Sequence, residues 1–360
     1  MIPVTKPYLP SREKLNQYLD GIYEREWLTN NGPLLQELTQ RLEAYLGVQN
    51  LLLVSNGTLA LQIAYRALGI SGQQTNAEAI TTPFTFAATA SSLKWEGVTP
   101  IFTDIDAQSW CLDPARIEAA ITDNTRAIVP VHVFGNACEV EQIDALAKRH
   151  NLKVVYDAAH AFNVTYRDKS LLSYGDASTL SFHATKLFHS VEGGAIIFKR
   201  KEDLERAKQM INFGITGADT IGEVGINAKM NEFQAAMGLS VLDEIEHNLA
   251  GRQAVWESYA QLLEGKTTFQ QRQPHVSNNH AYFPVLLESE DEVKALIERL
   301  NEQQIYPRRY FYPSLDTQQV FGDQYCPISR YIAKSIVCLP LFSKADYKKV
   351  INYALISGEA

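Results

Sequence analysis

The sequence predicts an α/β fold, in which a large domain with one mixed, mostly parallel β-sheet is followed by a smaller α+β C-terminal domain. Three observations support this prediction. Short apolar runs recur between residues 51 and 198, and helical patterns separate most of them. Most of these runs are continuously apolar, which is typical of strands that are buried on both faces of a sheet. After Asn231 a long helical pattern replaces the alternation.

The apolar runs define the predicted strands of the large sheet. They cover residues 51–54, 79–82, 100–103, 126–132, 153–156, 179–182 and 195–198. The loop between the last two runs is too short for a helical crossover. We therefore expect this pair to be antiparallel, which makes the sheet mixed.

Helix signals lie between the strands. Residues 58–68 follow an Asn-Gly pair, and residues 114–121 begin with a proline, which suits the first helical turn. Residues 139–150 carry an apolar stripe at helical spacing. The pattern from Asn231 to about Leu263 is nearly uninterrupted, with mild breaks expected at Gly238 and Gly251.

The sequence after this helical pattern predicts a small domain. It contains a strand at residues 282–287 and helices at 290–302, near 328–336 and at 344–353. We predict a large domain over residues 1–240 and a small domain over 241–360. The N-terminal segment 1–30 is a candidate to pack on the small domain.

Composition limits the partners of this chain. Its 360 residues, 46% hydrophobic and 21% charged, are enough for more than one domain with a sizeable core. The net charge of −8 argues against nucleic acid or an anionic membrane as a partner. The apolar runs are too short to span a bilayer, and the first residues lack the apolar core of a signal peptide. Because the four cysteines show no CxxC spacing, we expect buried thiols and a cytoplasmic location.

The segment around Lys186 carries the most chemical information. A predicted strand leads into a short polar loop with one lysine, and Gly193-Gly194 opens the next strand. A lysine at a strand end can form a Schiff base with a carbonyl cofactor and later move protons as a free amine. An ordinary loop lysine is the alternative. The preceding strand, which ends at Tyr156-Asp157, favours the catalytic interpretation.

Three other strand ends carry residues that suit the same cofactor. Gly57 and Thr58 begin a helix, whose free N-terminal amides suit a phosphate. Asp157 can pair with a ring nitrogen, and Phe86 can stack on a flat ring. Each has an ordinary alternative, which is helix capping for the Asn-Gly turn and for Asp157, and core packing for Phe86. Together with Lys186 they fit one pyridoxal phosphate site.

Ordered matches along essentially the whole chain resemble the DegT/DnrJ/EryC1/StrS family of pyridoxal-phosphate sugar aminotransferases. The matching segments are 27–33, 55–58, 85–90, 157–161, the Lys186 loop, 225–230 and 338–341. The resemblance implies fold type I. It also implies a homodimer, with two shared active sites at the subunit interface.

The resemblance implies roles around the cofactor ring. Lys186 would hold the cofactor covalently, and Asp157 would bind the pyridinium nitrogen. Phe86 would cover the ring. His160 stands where many members have Gln, the residue that touches the ring hydroxyl, and an imidazole can also donate there.

The resemblance also implies a phosphate site. The amides of Gly57 and Thr58, together with Ser181, would hold the phosphate. Asn227 would reach the same phosphate from the partner subunit. Lys229 stands where many members have Arg, which leaves a bidentate contact with an anion at that position in doubt.

Candidate substrate contacts complete the predicted site. His183 follows Ser181 in the lysine loop, and either substrate contact or simple packing would explain it. Arg309 and Tyr310 lie in an Arg-Arg-Tyr-Phe-Tyr run that could clamp a pyrophosphate or a glutamate carboxylate, with a solvated charged face as the alternative. The other histidines show no paired metal spacing, so we predict no metal site.

The resemblance implies a reaction as well. L-Glutamate would be the amino donor and dTDP-4-dehydro-6-deoxy-D-glucose the acceptor, giving a 4-amino-4,6-dideoxy sugar for surface polysaccharide such as O-antigen. Amination of the 3-keto isomer is the alternative within the class. A dehydratase of the same family carries histidine in place of the lysine, so Lys186 argues against it. The intact Lys186, Asp157 and Ser181 argue against a non-catalytic regulatory protein.

Overall fold

A seven-stranded sheet forms the centre of the computed structural model, which describes residues 1–71 and 76–354. Its strands are β1 Leu51–Val54, β2 Glu78–Thr81, β3 Thr99–Phe102, β4 Thr125–Val129, β5 Lys153–Asp157, β6 Ala177–Ser181 and β7 Gly194–Phe198. All the predicted strands are present. The largest difference is in β4, which ends at Val129 and not at residue 132, because Pro130 has no N–H group to continue the ladder.

The sheet is mixed and mostly parallel, as predicted. The strand order is β1-β7-β6-β5-β4-β2-β3. The pairs β2–β3, β2–β4, β4–β5 and β5–β6 are parallel, whereas β7 is antiparallel to both β1 and β6. The predicted antiparallel pairing of the last two strands is therefore confirmed.

Both faces of the sheet are buried. Along β1, Leu51 and Leu53 belong to one apolar cluster, while Leu52 and Val54 belong to another. Such alternation between two cores explains why the strands read as continuous apolar runs.

The helices are α1 Arg12–Arg25, α2 Pro33–Leu46, α3 Gly57–Ala67, α4 Ala87–Trp95, α5 Pro114–Ile117, α6 Val140–Arg149, α7 Lys201–Met210, α8 Glu232–Leu242, α9 Ile245–Leu263, α10 Glu290–Glu302, α11 Pro327–Ser335 and α12 Tyr347–Ala354.

The long helical pattern after Asn231 forms two helices, α8 and α9. The chain breaks at Asp243 and Glu244, and not at the glycines where breaks were expected. Gly238 lies inside α8, and a Cβ there would approach Leu38 Cδ2 to 2.8 Å. Gly251 lies inside α9 in similarly close contact with Ser343. Both glycines therefore allow close packing without ending a helix.

The C-terminal part contains its own small sheet and its own apolar cluster. Pro284–Leu286 pairs antiparallel with Ile336–Cys338, and Ile2–Pro3 pairs in parallel with Ile305–Tyr306. A buried cluster is drawn from residues between Val255 and Ile351. The boundary that we predict between residues 240 and 241 falls inside α8 and stays a prediction. Residues 355–360 of the predicted small domain lie outside the described residues.

None of the described helices is both long enough and apolar enough to cross a bilayer.

Candidate active site

A cavity of about 780 Å³ lies at the C-terminal ends of β5 and β6. Ligands of open α/β sheets bind at this edge. Nine of the predicted site residues line the cavity, namely Gly57, Thr58, Phe86, Asp157, His160, Ser181, His183, Lys186 and Tyr310. The fold therefore brings together residues from widely separated parts of the chain.

The lysine loop is closed at its base. Ser181 ends β6, and the N–H of the next residue, Phe182, donates to the Gly193 carbonyl at 2.8 Å. Within the loop the Lys186 N–H donates to the His183 carbonyl at 2.8 Å, which makes a tight turn. The loop thus returns to the sheet at β7 while presenting Lys186 to the cavity.

The start of α3 forms a cradle for an anion. The Asn56 side chain accepts from the Leu59 N–H at 2.9 Å, whereas the amides of Gly57 and Thr58 have no partner within the helix. A Cβ on Gly57 would lie 2.8 Å from Ser181 Cβ, so only glycine allows this approach. A small cradle of free amides beside a serine hydroxyl fits a phosphate.

Asp157 presents a buried carboxylate at the end of β5. Its Oδ2 accepts from Thr89 Oγ1 at 2.7 Å, and its Oδ1 accepts from the Ala159 N–H at 3.2 Å. Burial raises the pKa of Asp157, while these two hydrogen bonds and the charge of Lys186 act in the opposite direction. A buried carboxylate needs a cationic partner, and a protonated ring nitrogen would supply one.

Lys186 is half-buried at the cavity. Burial lowers the pKa of Lys186, opposed by the nearby Asp157 and Tyr310, so a larger fraction of the side chain is the nucleophilic free amine. Its Nζ donates to Tyr282 Oη at 3.3 Å. Tyr282 was not among the predicted site residues, because the sequence indicated only a strand at that point.

The proton position on His160 follows from a backbone contact. The Phe134 N–H donates to His160 Nδ1 at 3.2 Å. Burial and the charge of Lys186 lower the pKa of His160, so the ring is neutral and carries its proton on Nε2. His160 can therefore donate a hydrogen bond to a ring hydroxyl, as the resemblance implies.

The comparison with known protein families agrees with this geometry. The profile of the DegT/DnrJ/EryC1/StrS aminotransferase family matches residues 10–353. The chain belongs to this family. The predictions of the family and of an aminotransferase enzyme are confirmed.

Individual relatives are similar along nearly the whole length of this aminotransferase. The chain is 42% identical over 349 residues to a dTDP-4-amino-4,6-dideoxy-D-glucose transaminase of Shigella dysenteriae, and the match covers 95% of this chain and 94% of that protein. An Escherichia coli protein of the same name is 37% identical over 365 residues, covering 98% and 96%. The structure of DesI in the presence of its TDP-sugar product superposes with a TM-score of 0.91 at 31% identity, covering 98% of this chain and 91% of that one. Fold type I is confirmed.

His183 lies at the cavity beside an acidic residue of the aminotransferase. The Thr185 N–H donates to His183 Nδ1 at 3.2 Å, and His183 Nε2 lies 3.6 Å from Glu192 Oε1. Both His183 and Glu192 line the cavity. His183 therefore forms part of the cavity wall, and its contact with a substrate stays a prediction.

The role of Arg309 as a substrate contact stays a prediction, and the structure adds the adjacent Arg308 as a second candidate. Arg309 does not line the cavity, because its guanidinium donates to Glu290 Oε1 at 3.0 Å and lies over the Tyr312 ring at 3.4 Å. Arg308 lines the cavity and lies 5.7 Å from the centre of the Tyr310 ring. Successive residues of an extended chain point in opposite directions, so only one of the two arginines can face the site.

Asn227 and Lys229 do not line the Lys186 cavity of their own chain. Lys229 Nζ donates to Asn212 Oδ1 at 2.9 Å, and Lys229 lines a separate cavity of about 690 Å³. Asn227 is exposed, although the carbonyl of the next residue, Ala228, accepts from the Ser55 N–H at 2.9 Å. The role predicted for Asn227 depends on a second subunit.

Within residues 1–71 and 76–354, no group of three or more His, Cys, Asp and Glu side chains could hold a metal ion.

Proposed function

We propose that this aminotransferase binds pyridoxal 5′-phosphate and transfers the amino group of L-glutamate to dTDP-4-dehydro-6-deoxy-D-glucose. The product would be dTDP-4-amino-4,6-dideoxy-D-glucose. The observation that carries the proposal is the identity of 42% and 37%, over nearly the whole chain, to two transaminases named for this 4-amino sugar.

The cavity has a group for each part of the proposed cofactor. Gly57, Thr58 and Ser181 would hold the phosphate at the start of α3. Asp157 would hold the ring nitrogen, with Phe86 over the ring face. His160 would donate from Nε2 to the ring hydroxyl. When bound, the cofactor supplies an electron sink for the carbon that loses a proton.

Lys186 and Asp157 would be the catalytic residues that the protein contributes to the reaction. Lys186 would hold the cofactor and, once released, take a proton from the substrate carbon through its free amine. Asp157 would keep a positive charge on the ring nitrogen, because its buried carboxylate strongly favours a cationic neighbour. Two substrates that use one cavity in turn predict ping-pong kinetics.

Arg308 would bind the anionic part of a substrate. Both proposed substrates are anions, one through its carboxylates and the other through its pyrophosphate. Arg308 offers a guanidinium at the cavity wall, which suits either group. Tyr310 packs beside it, and His183 lies in the lysine loop as a further polar contact.

We infer that the active unit is a homodimer with shared sites. A hairpin formed by Ile215–Gly217 and Thr220–Ile221, together with the segment after it, exposes apolar side chains. In the single chain, Ile221 in the hairpin is 74% accessible and Val224 in the following segment is 68% accessible. Exposed apolar groups of this kind are typical of an interface. Asn227 follows directly, so a partner that covers the hairpin would bring Asn227 close to a second copy.

The cellular context is part of the same proposal. We infer a cytoplasmic enzyme whose amino sugar serves surface polysaccharide such as O-antigen. All four cysteines are buried and unpaired, which supports a reducing compartment.

Product analysis tests the proposed reaction. The protein is loaded with cofactor and incubated with glutamate and either dTDP-4-dehydro-6-deoxy-D-glucose or its 3-keto isomer, and the products are identified by NMR. We expect the 4-amino sugar and release of 2-oxoglutarate, with neither product from Lys186→Ala. Amination of the 3-keto isomer alone would refute the assigned position, and no amination of either sugar would refute the substrate class.

A further inference from the structure

Tyr282 reaches the reactive lysine from the C-terminal part of the chain. Its hydroxyl accepts the hydrogen bond from Lys186 Nζ at 3.3 Å, and the residue lines the same cavity. The two residues are 96 positions apart in the sequence. The contact therefore depends on how the C-terminal part is placed over the sheet.

The Tyr282 ring is held by aromatic neighbours. The centre of the His160 ring lies 4.3 Å away, and the Phe134 ring lies 5.5 Å away. The Tyr310 ring lies edge-on at 5.8 Å. Such packing fixes the direction of the side chain, so the hydroxyl has a defined position beside Lys186.

The backbone next to Tyr282 is tied to the backbone of the site. The Ala281 N–H donates to Asn279 Oδ1 at 3.2 Å, and the buried Asn279 donates through Nδ2 to the carbonyls of His160 and Phe162, both at 2.9 Å. The buried guanidinium of Arg252 also donates to the Ala281 carbonyl, at 3.2 Å. These bonds hold Tyr282 and His160 in a fixed relation.

A tyrosine hydroxyl suits both forms of a lysine side chain. Burial raises the pKa of Tyr282, so its hydroxyl stays protonated and neutral. It can accept from an ammonium group and donate to a free amine. Asp157 and His160 also lie near Lys186, but each has another partner. Asp157 is the candidate partner of the ring nitrogen, and His160 Nδ1 already accepts from the Phe134 N–H.

We propose that Tyr282 is a positioning residue that holds the ε-amine of Lys186 whenever that amine is not bonded to the cofactor. The inference rests on the proposed function. In the proton step a substrate C–H bond breaks and an N–H bond forms on Lys186. The electron pair of the broken bond stays on the substrate carbon, where the electron sink of the cofactor would stabilise it. Tyr282 neither gains nor loses a proton but keeps the amine aimed at the cavity.

Tyr282→Phe tests the proposal, because it keeps the ring and its packing and removes only the hydroxyl. Tyr45→Phe is the matched control, since it removes a hydroxyl that donates to Glu246 at 2.8 Å and lies outside the cavity. The first readout uses the cofactor-free chain. The rate at which acetic anhydride acetylates Lys186 is measured against pH by peptide mass spectrometry. We expect a lower Lys186 pKa in Tyr282→Phe than in the wild type, because the charge-assisted hydrogen bond that the ammonium form loses is stronger than the neutral one that the free amine loses, and no change in the control.

The second readout is the single-turnover reaction of the cofactor-loaded protein with glutamate, followed by absorbance. We expect the rate to fall about tenfold or more in Tyr282→Phe, with little change in the glutamate concentration that gives half the maximal rate. The proposal requires both changes. An unaltered labelling profile or an unaltered rate would overturn it. A wild-type protein that reacts with neither glutamate nor a keto sugar would instead refute the proposed function, whatever the labelling result.

Discussion

Thr89 Oγ1 donates a hydrogen bond of 2.7 Å to Oδ2 of Asp157, and both residues are buried. Thr85 Oγ1 lies 2.8 Å from the same threonine hydroxyl. The first turn of α4 thus reaches the carboxylate at the end of β5. This hydrogen bond favours the charged carboxylate, and so works against the effect of burial.

Thr89→Val removes that hydrogen bond and keeps the side-chain shape. Because Thr89 lowers the pKa of Asp157, the variant should hold the carboxyl protonated up to a higher pH. The acidic limb of the kcat/KM profile should then move to higher pH, with the largest loss of activity in mildly acidic buffer. Thr89→Ser retains a hydroxyl and is the control. Superimposable profiles for the valine and serine variants would show that Asp157 does not control that limb.

Asp157→Asn should affect activity and stability in opposite directions. A neutral amide cannot hold a proton on the ring nitrogen, so the rate should fall by several orders of magnitude while the cofactor still binds. In the cofactor-free chain, burial raises the pKa of Asp157 above its unfolded value. The wild type therefore loses stability as the pH rises through that pKa, and the amide does not.

Urea unfolding of the cofactor-free proteins checks the second effect. The free energy of unfolding of Asp157→Asn, relative to the wild type, should increase from acidic to neutral pH. Near-normal kcat together with a pH-independent difference would make Asp157 a structural cap.

The strands and most of the site could be predicted from the sequence, because both have local signals. The apolar runs marked β1 to β7, and Asp157 and Lys186 each lie just beyond such a run. Thr89 and Tyr282 were missed as site residues, since their contacts join segments 68 and 96 positions apart. No local pattern records which distant side chain a strand end will meet.

Two differences between the predictions and the structure have simple physical causes. Arg309 was named as a candidate and Arg308 was not, because composition does not show which of two adjacent side chains faces a cavity. Helix breaks were expected at Gly238 and Gly251 from propensity, whereas both glycines lie at tight contacts inside helices. Tertiary packing outweighs a propensity difference of about 1 kcal/mol.

Substitution of the two adjacent arginines should separate binding from stability. Arg308→Gln should raise KM for glutamate, for the sugar nucleotide or for both by about tenfold, because a charged hydrogen bond to the anion is lost. Arg309→Gln should leave both KM values near the wild type. It should instead lower the free energy of unfolding by about 1–3 kcal/mol, since Glu290 and two backbone carbonyls lose their donor. Steady-state kinetics and urea unfolding of both variants provide the measurements, and the reverse pattern would identify Arg309 as the substrate residue.

Mixing two inactive variants tests whether each active site takes Asn227 from the partner subunit. Lys186→Ala removes the reactive amine, and Asn227→Asp places a negative charge where the phosphate is proposed to bind. If sites are shared, one site of a mixed dimer receives both defects and the other receives neither. Random pairing of equal amounts then makes half of the dimers mixed, each with one intact site, so activity should return to about a quarter of the wild-type level.

The test is needed because Ala228 accepts a hydrogen bond from Ser55 of its own chain, so the neighbouring Asn227 also lies near the cradle of its own chain. The variants are dissociated, mixed and reassociated, and exchange is verified by mass spectrometry of differently labelled chains. Each variant carried alone through the same cycle gives the background. If each chain built its own site, every site would contain one defect, and activity would stay at that background despite complete exchange. Recovery near a quarter therefore requires that Asn227 acts across the interface.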